Sequence, residues 1–328
     1  MNRHDDELDR LFRAARPAEV RSDRPLGAAE IALRENIIRG NVRAPNRRAR
    51  PRIIWAGATA ALATLAVAVL VTISVLSPAQ QAVALTPPPL PYSTAGSMSD
   101  VVTDAERALS ASPGPEQASH VESVVWGWSA EIEQQRIESV PQEITFDWGE
   151  GETATTTIVA ADSYWPDGDR PPGVEPSPYR PGEIIDEVKT APEDFDAPAE
   201  LTSLTGDSRE ELFAALGAFG VSESSSSGEL LAAIDGLMQY WTLSNAQHAE
   251  LLEILIDAGD VEVLGATRDR LGRDVIGLQV SSTIPERTDT VFISRDTGRL
   301  VGVESELIEP RDGLPAGVIS YAMWDAAH

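Results

Sequence analysis

Few residues in this chain have the type and spacing to carry chemistry, and what they lack limits the function more than what they offer. Histidine occurs at His4, His120, His248 and His328 only, and no two stand four apart. The His-Glu-x-x-His spacing that sets two imidazoles on one helix face around zinc is therefore missing. Cysteine is absent, which excludes a thiol nucleophile, a thiolate metal site and disulfides. No Gly-x-Ser-x-Gly elbow presents a serine nucleophile, and no Walker or dinucleotide glycine pattern cradles a phosphate.

Carboxylates are abundant and densest at Asp167 and Asp169 and at Glu193, Asp194, Asp196 and Glu200. Calcium would take such oxygens, but the twelve-residue loop with its central Gly and closing Glu is missing. A glycosidase pair would need these acids in a cleft. They read as a solvated acidic loop, and a lone helical residue such as His248 reads as a surface or cap histidine. The expectation is no catalytic residue, no metal, no cofactor and no enzymatic activity.

The elements that would position any site follow from the distribution of charge. Across 328 residues the net charge is −26, but residues 1–52 hold thirteen Arg against eight acids, and residues 53–78 hold no charge. The remainder holds 44 acids against 13 bases. An acidic body of this kind repels phosphate backbones, so no nucleic-acid partner is expected. Residues 53–76 form an apolar run of 24, about 36 Å as a helix, enough to cross a hydrocarbon core of about 30 Å. Arg47, Arg48, Arg50 and Arg52 crowd its N-terminal end, and no further basic residue follows until Arg107. The positive-inside rule then predicts a cell-membrane protein with one transmembrane helix over residues 53–77, its N-terminus cytoplasmic and its acidic body outside. Ala82-Val83-Ala84 has the form cut by signal peptidase, so cleavage after Ala84 stays open, although the long head and long apolar run favour an anchor. Ala56, Gly57 and Ala60 would let a second copy approach as a homodimer.

The head, residues 1–52, reads as two short amphipathic helices that bury too little to fold alone, partly disordered. One puts Leu8, Leu11 and Phe12 on a face, the other Ile31 and Ile38. Residues 78–115 read as a Pro/Ala/Ser-rich stalk, with a helix at "SDVVTDAERALSAS". The body, residues 116–328, alternates strands and helices. "SHVESVVWGWSAEI" predicts a strand with Val121, Val124, Trp126 and Trp128 on a packed face. Two strands flank a turn at Gly149 to Gly151, and the Pro-rich acidic stretch that follows, residues 166–200, cannot sit inside a sheet. Three helices come next. Asp207 with Glu210 and Ser244 with Gln247 read as capping boxes, and Gly220 and Gly259 as stops. A meander of short strands closes the chain. The fold class expected is α+β: an antiparallel sheet with a three-helix insertion, outside the membrane, behind one transmembrane helix and the short head.

From about Leu201 to Glu309 the order of capped helices and then "VEVLGATRDRLGRDVIGLQV…TDTVFISRDTGRLVGVES" resembles a family of single-pass actinobacterial membrane proteins. Its members are often encoded beside extracytoplasmic-function sigma factors. The turns Asp269-Arg270-Leu271-Gly272-Arg273 and Asp296-Thr297-Gly298-Arg299 carry the resemblance, while Ala258-Gly259-Asp260-Val261 departs from the family's Pro-Gly-Val step. The resemblance implies an anti-sigma-like regulator whose head engages a sigma factor or another cytoplasmic protein through Leu8, Leu11, Phe12, Ile31 and Ile38. The tryptophans leave a second reading open. Trp126, Trp128, Trp148, Trp165, Trp241 and Trp324 either fill the core or line a cavity for an apolar molecule. In the latter case the body is a membrane-tethered, half-barrel-like binder of lipid or lipoprotein.

Overall fold

The computed structural model describes residues 86–328 apart from 112, 129–136, 164, 166–169, 171–172, 196, 283, 311–314 and 327–328. The expected head, the transmembrane helix over 53–77 and Ala82-Val83-Ala84 lie outside the described residues. No helix among the described residues is long and apolar enough to cross a membrane.

Helix α1 (Met98–Ala111) precedes strands β1 (His120–Gly127), β2 (Gln142–Asp147), β3 (Ala154–Ala160) and β4 (Ile184–Thr190). Helices α2 (Ala199–Thr202), α3 (Arg209–Gly217), α4 (Ser227–Met238) and α5 (Asn245–Asp257) follow. Strands β5 (Val261–Arg268), β6 (Asp274–Ser281), β7 (Arg287–Ser294), β8 (Leu300–Leu307) and β9 (Gly317–Trp324) complete the chain. All nine strands join one antiparallel sheet in the order β4-β3-β2-β1-β9-β8-β7-β6-β5. Two meanders are thus sewn together where β9 returns beside β1, with Val124 opposite Met323 and Trp126 opposite Tyr321. The protein is α+β with the helical insertion between the two meanders, as the patterning predicts.

Because successive strand side chains point to opposite faces, the sheet buries two separate apolar layers. On one face Leu278, Val280, Val291, Ile293, Leu300 and Trp324 meet Leu212, Leu216, Leu230, Ile234, Leu237, Leu251 and Leu255 from α3, α4 and α5. Fully burying each such side chain contributes about 1.5–3 kcal/mol. Trp148, Trp241 and Trp324 fill this layer. Trp148 packs edge-on against Trp241 with ring centroids 4.7 Å apart, and the three indole N–H groups donate to Tyr240 O, Leu201 O and Asp235 Oδ1. On the opposite face Val124, Trp126, Trp128, Phe292, Val318, Tyr321 and Met323 form a second layer that contains no helical residue among the described residues.

Several local expectations are corrected. Val121 is buried on the face opposite Val124, since it pairs with Phe146 of the helix-side layer and an odd step along a strand reverses the side. The cap of α3 is Ser208, whose side chain accepts from Glu211 N–H, one residue beyond the Asp207/Glu210 reading. Ser244 and Gln247 do form a capping box, and Ser226 with Glu229 forms another on α4. Within the acidic stretch, Ile184–Thr190 makes an edge strand. Asp186, Glu187 and Lys189 are exposed there, a protection against edge-to-edge pairing.

The two turns that carry the resemblance act as clamps. Asp269 accepts from Leu271 N–H and Arg273 N–H, and Arg273 reaches Trp324 O at 2.8 Å and Val301 O at 2.7 Å. In the second turn Gly298, at φ 75°, lets the Ala105 carbonyl of α1 approach closer than any Cβ would allow.

Candidate functional site

The face on which no described helix packs is crossed by residues 86–93, "TPPPLPYS", part of the stretch expected to be a stalk. Thr86 lies buried against Gly317 at the start of β9. Leu90 and Tyr92 pack onto the apolar layer. Ser93 pairs with Ala266 of the edge strand β5 through two backbone hydrogen bonds of 2.9 Å. The strap therefore runs from β9 across β8, β7 and β6 to the β5 edge. Two glycines make room for it. A Cβ at Gly277 would stand 2.6 Å from a Tyr92 ring carbon, and Gly265, at φ 134°, takes the Ser93 carbonyl against its backbone.

Beneath the strap is a cavity of about 140 Å³. Pro89, Leu90, Tyr92 and Leu264 supply its apolar side. The alternation of β6, β7 and β8 supplies Gln279, Thr288, Thr290, Glu304 and Glu306 as its polar side. Arg270, from the β5–β6 turn, sets Nε 2.6 Å from Glu304 Oε2, donates from Nη1 to Pro88 O at 3.0 Å and lies over the Tyr321 ring. Burial pushes the Glu304 carboxyl above its ordinary value and the Arg270 guanidinium opposes that. Burial, followed by the Glu304 charge, pushes the Tyr92 hydroxyl up to about 12 against a hydrogen bond with Thr290, so Tyr92 is neutral across the physiological range.

Alongside the cavity lies an aromatic band. Trp126 stacks on Tyr321 with centroids 5.9 Å apart and planes at 20°, and its Nε1–H donates to Ser139 O at 2.9 Å. Trp128 is 7% exposed and its indole N–H reaches no acceptor among the described residues. An apolar surface with a few convergent polar groups and an indole donor can hold a chain-like molecule by burial and orient a polar end.

No group of three side chains among the described residues is able to hold a metal ion. His248 is no surface residue; it is fully buried beside Arg299. Its Nδ1 accepts from Leu300 N–H at 3.2 Å, while Arg299 donates to Leu243 O and pairs with Asp325 at 2.8 Å. Burial first, then the Arg299 charge, holds the His248 imidazole well below its ordinary value, so it is neutral and ties α5 to β8. His120 is exposed, with Nδ1 2.6 Å from Asp147 and Nε2 3.2 Å from Glu122. The head residues Leu8, Leu11, Phe12, Ile31 and Ile38 lie outside the described residues. Sequence patterning missed Tyr92, Arg270, Glu304 and Glu306. The one signal for them was the two-residue spacing of Thr288/Thr290 and Glu304/Glu306 on alternating strands.

No protein-family model and no curated protein matches the chain. Among solved structures it is similar to a DUF1329 family protein from Desulfovibrio piger at 14% identity, over 70% of this chain and 92% of that one, with a TM-score of 0.22. A LolA superfamily protein from Nitrosomonas europaea matches at 9% identity over 70% and 92%, TM-score 0.18. A domain described as an outer membrane lipoprotein-sorting protein, from Vibrio parahaemolyticus, matches at 12% identity over 68% and 89%, TM-score 0.20. None of these three is described as a sigma-factor regulator, and the expectation of an anti-sigma-like regulator is withdrawn. At such TM-scores the likeness carries no argument of its own, and the positive case rests on the strapped face.

Proposed function

We propose that this chain is a membrane-tethered binder of lipid or lipoprotein, held by residues 53–77 with its acidic domain outside the cell membrane, and that the strapped face of the sheet is where an apolar chain binds. One observation carries the reading. Among the described residues the layer of Trp126, Trp128, Phe292, Val318, Tyr321 and Met323 contains no helical residue, and the strap that packs on it is a segment of the tether. Both layers are buried, with Leu278, Val291 and Leu300 on one side and Phe292, Val318 and Met323 on the other at 0% exposure, but a ligand on the first would have to move α4 and α5 and a ligand on the second the strap. Burying an acyl chain contributes about 0.8 kcal/mol per methylene, so a modest length of chain outweighs the few contacts that hold the strap. The reading requires no catalytic step.

The test is photolabelling of the full-length chain in lipid nanodiscs that contain a diazirine-bearing phospholipid, with adducts mapped by peptide mass spectrometry. Adducts on the peptides bearing Leu264 and Gln279 are expected. Adducts confined to residues 53–77 would overturn the reading.

A further inference from the structure

Four of the eight strap residues are proline: Pro87, Pro88, Pro89 and Pro91. Proline has no N–H to give a sheet and holds the chain extended without internal hydrogen bonds. Accordingly, among the described residues, the only backbone pairing of the strap with the sheet is that of Ser93 with Ala266. The rest is held by Arg270 on the Pro88 carbonyl, by Tyr92 over Gly277 with Thr290, and by the packing of Leu90. A segment built this way docks with little loss of conformational freedom and can leave without stranding backbone donors in the protein.

Its position has a second property. Residues 86–93 join the body directly to the chain that leads to residues 53–77, so the same segment covers the face and forms part of the tether. We propose that residues 86–93 are an internal occupant of the ligand face, competing with the bound apolar chain, so that loading frees the strap and lengthens the tether. This rests on the lipid-binding reading above. Freed, eight residues extend over about 26–29 Å at about 3.3–3.6 Å per residue, which would let the loaded domain stand farther from the membrane than the empty one.

The absence of cysteine allows a clean lock. Ser93 and Ala266 are directly opposed in an antiparallel bridge, where Cα atoms stand about 5.5 Å apart, within disulfide range. The variant Ser93→Cys/Ala266→Cys, full length in nanodiscs with the same diazirine phospholipid, is compared oxidised and reduced. Oxidation should lower labelling of the Leu264 and Gln279 peptides by about tenfold and reduction should restore it. A second variant, Leu90→Ser/Tyr92→Ser, should raise labelling several-fold and expose the strap to protease. The reduced cysteine variant controls for folding. Equal labelling of the oxidised and reduced forms, with the unaltered chain labelled on this face, overturns the competition while leaving the ligand face standing. Failure of the unaltered chain to label there overturns both.

Discussion

The guanidinium of Arg270 meets the carboxylate of Glu304 at 2.6 Å across 34 residues of sequence, with both side chains almost fully buried. The pair closes the polar end of the cavity, and through the Pro88 carbonyl it also holds the strap. Removing one partner leaves the other as an uncompensated buried charge. Arg270→Ala should therefore lower stability by about 3–5 kcal/mol, whereas Arg270→Met/Glu304→Leu should recover most of it. Urea unfolding followed by tryptophan fluorescence checks this. A single variant as stable as the parent would contradict the burial of the pair.

Buried His248 gives the fold an acid-side weakness. Its folded value is depressed, so below about pH 6.5 the unfolded chain binds the proton that the native state refuses, and stability falls as pH falls from there. His248→Gln should flatten the pH dependence of the thermal midpoint below pH 6.5. A His248→Gln midpoint that falls on acidification as steeply as the parent's would contradict a ring held unprotonated in the fold.

Asp235 acts with the opposite sign. Burial raises its carboxyl from 3.8 to about 6, opposed by the hydrogen bond from Trp324. The native state holds the proton longer than the unfolded chain does, so the cost is absent below pH 3.8 and fully present above about pH 6. Asp235→Asn keeps an acceptor for the Trp324 indole and removes the charge. Its thermal midpoint should rise by about 2–4 °C at pH 7.5 and by nothing near pH 3.5. No gain at pH 7.5 would contradict a carboxylate held out of water.

Gly277 is the flat place on which Tyr92 rests. Gly277→Val would put side-chain atoms into the ring and overpack the contact by about 1–3 kcal/mol. Proteolysis within residues 86–97 should quicken while the sheet stays resistant. Unchanged cleavage would mean that Tyr92 does not anchor the strap.

The strands of the second meander and the helices were legible because each element is short, regularly patterned and bounded by a readable cap or glycine. Ser244 with Gln247 is one such signal, and Gly259, at φ 76°, is another. Val121 was misassigned because a run of β-branched residues does not say where its alternation begins. Edge strand β4 was hidden by its proline-rich flanks. The site was illegible for a physical reason: a proline-rich segment reads the same whether it hangs in water or lies on a sheet. What distinguishes the two states is a carbonyl at Pro88 meeting a guanidinium 182 residues away. Arg270 itself was read as part of a turn, since its partner becomes adjacent only when β5 through β8 assemble.

The most direct measurement is the photolabelling map of the unaltered full-length chain in nanodiscs. Lipid adducts on Leu264 and Gln279, on the face opposite the helices, are the result expected of a tethered lipid binder. Adducts found only in residues 53–77, or only on the helices α3 to α5, would contradict it.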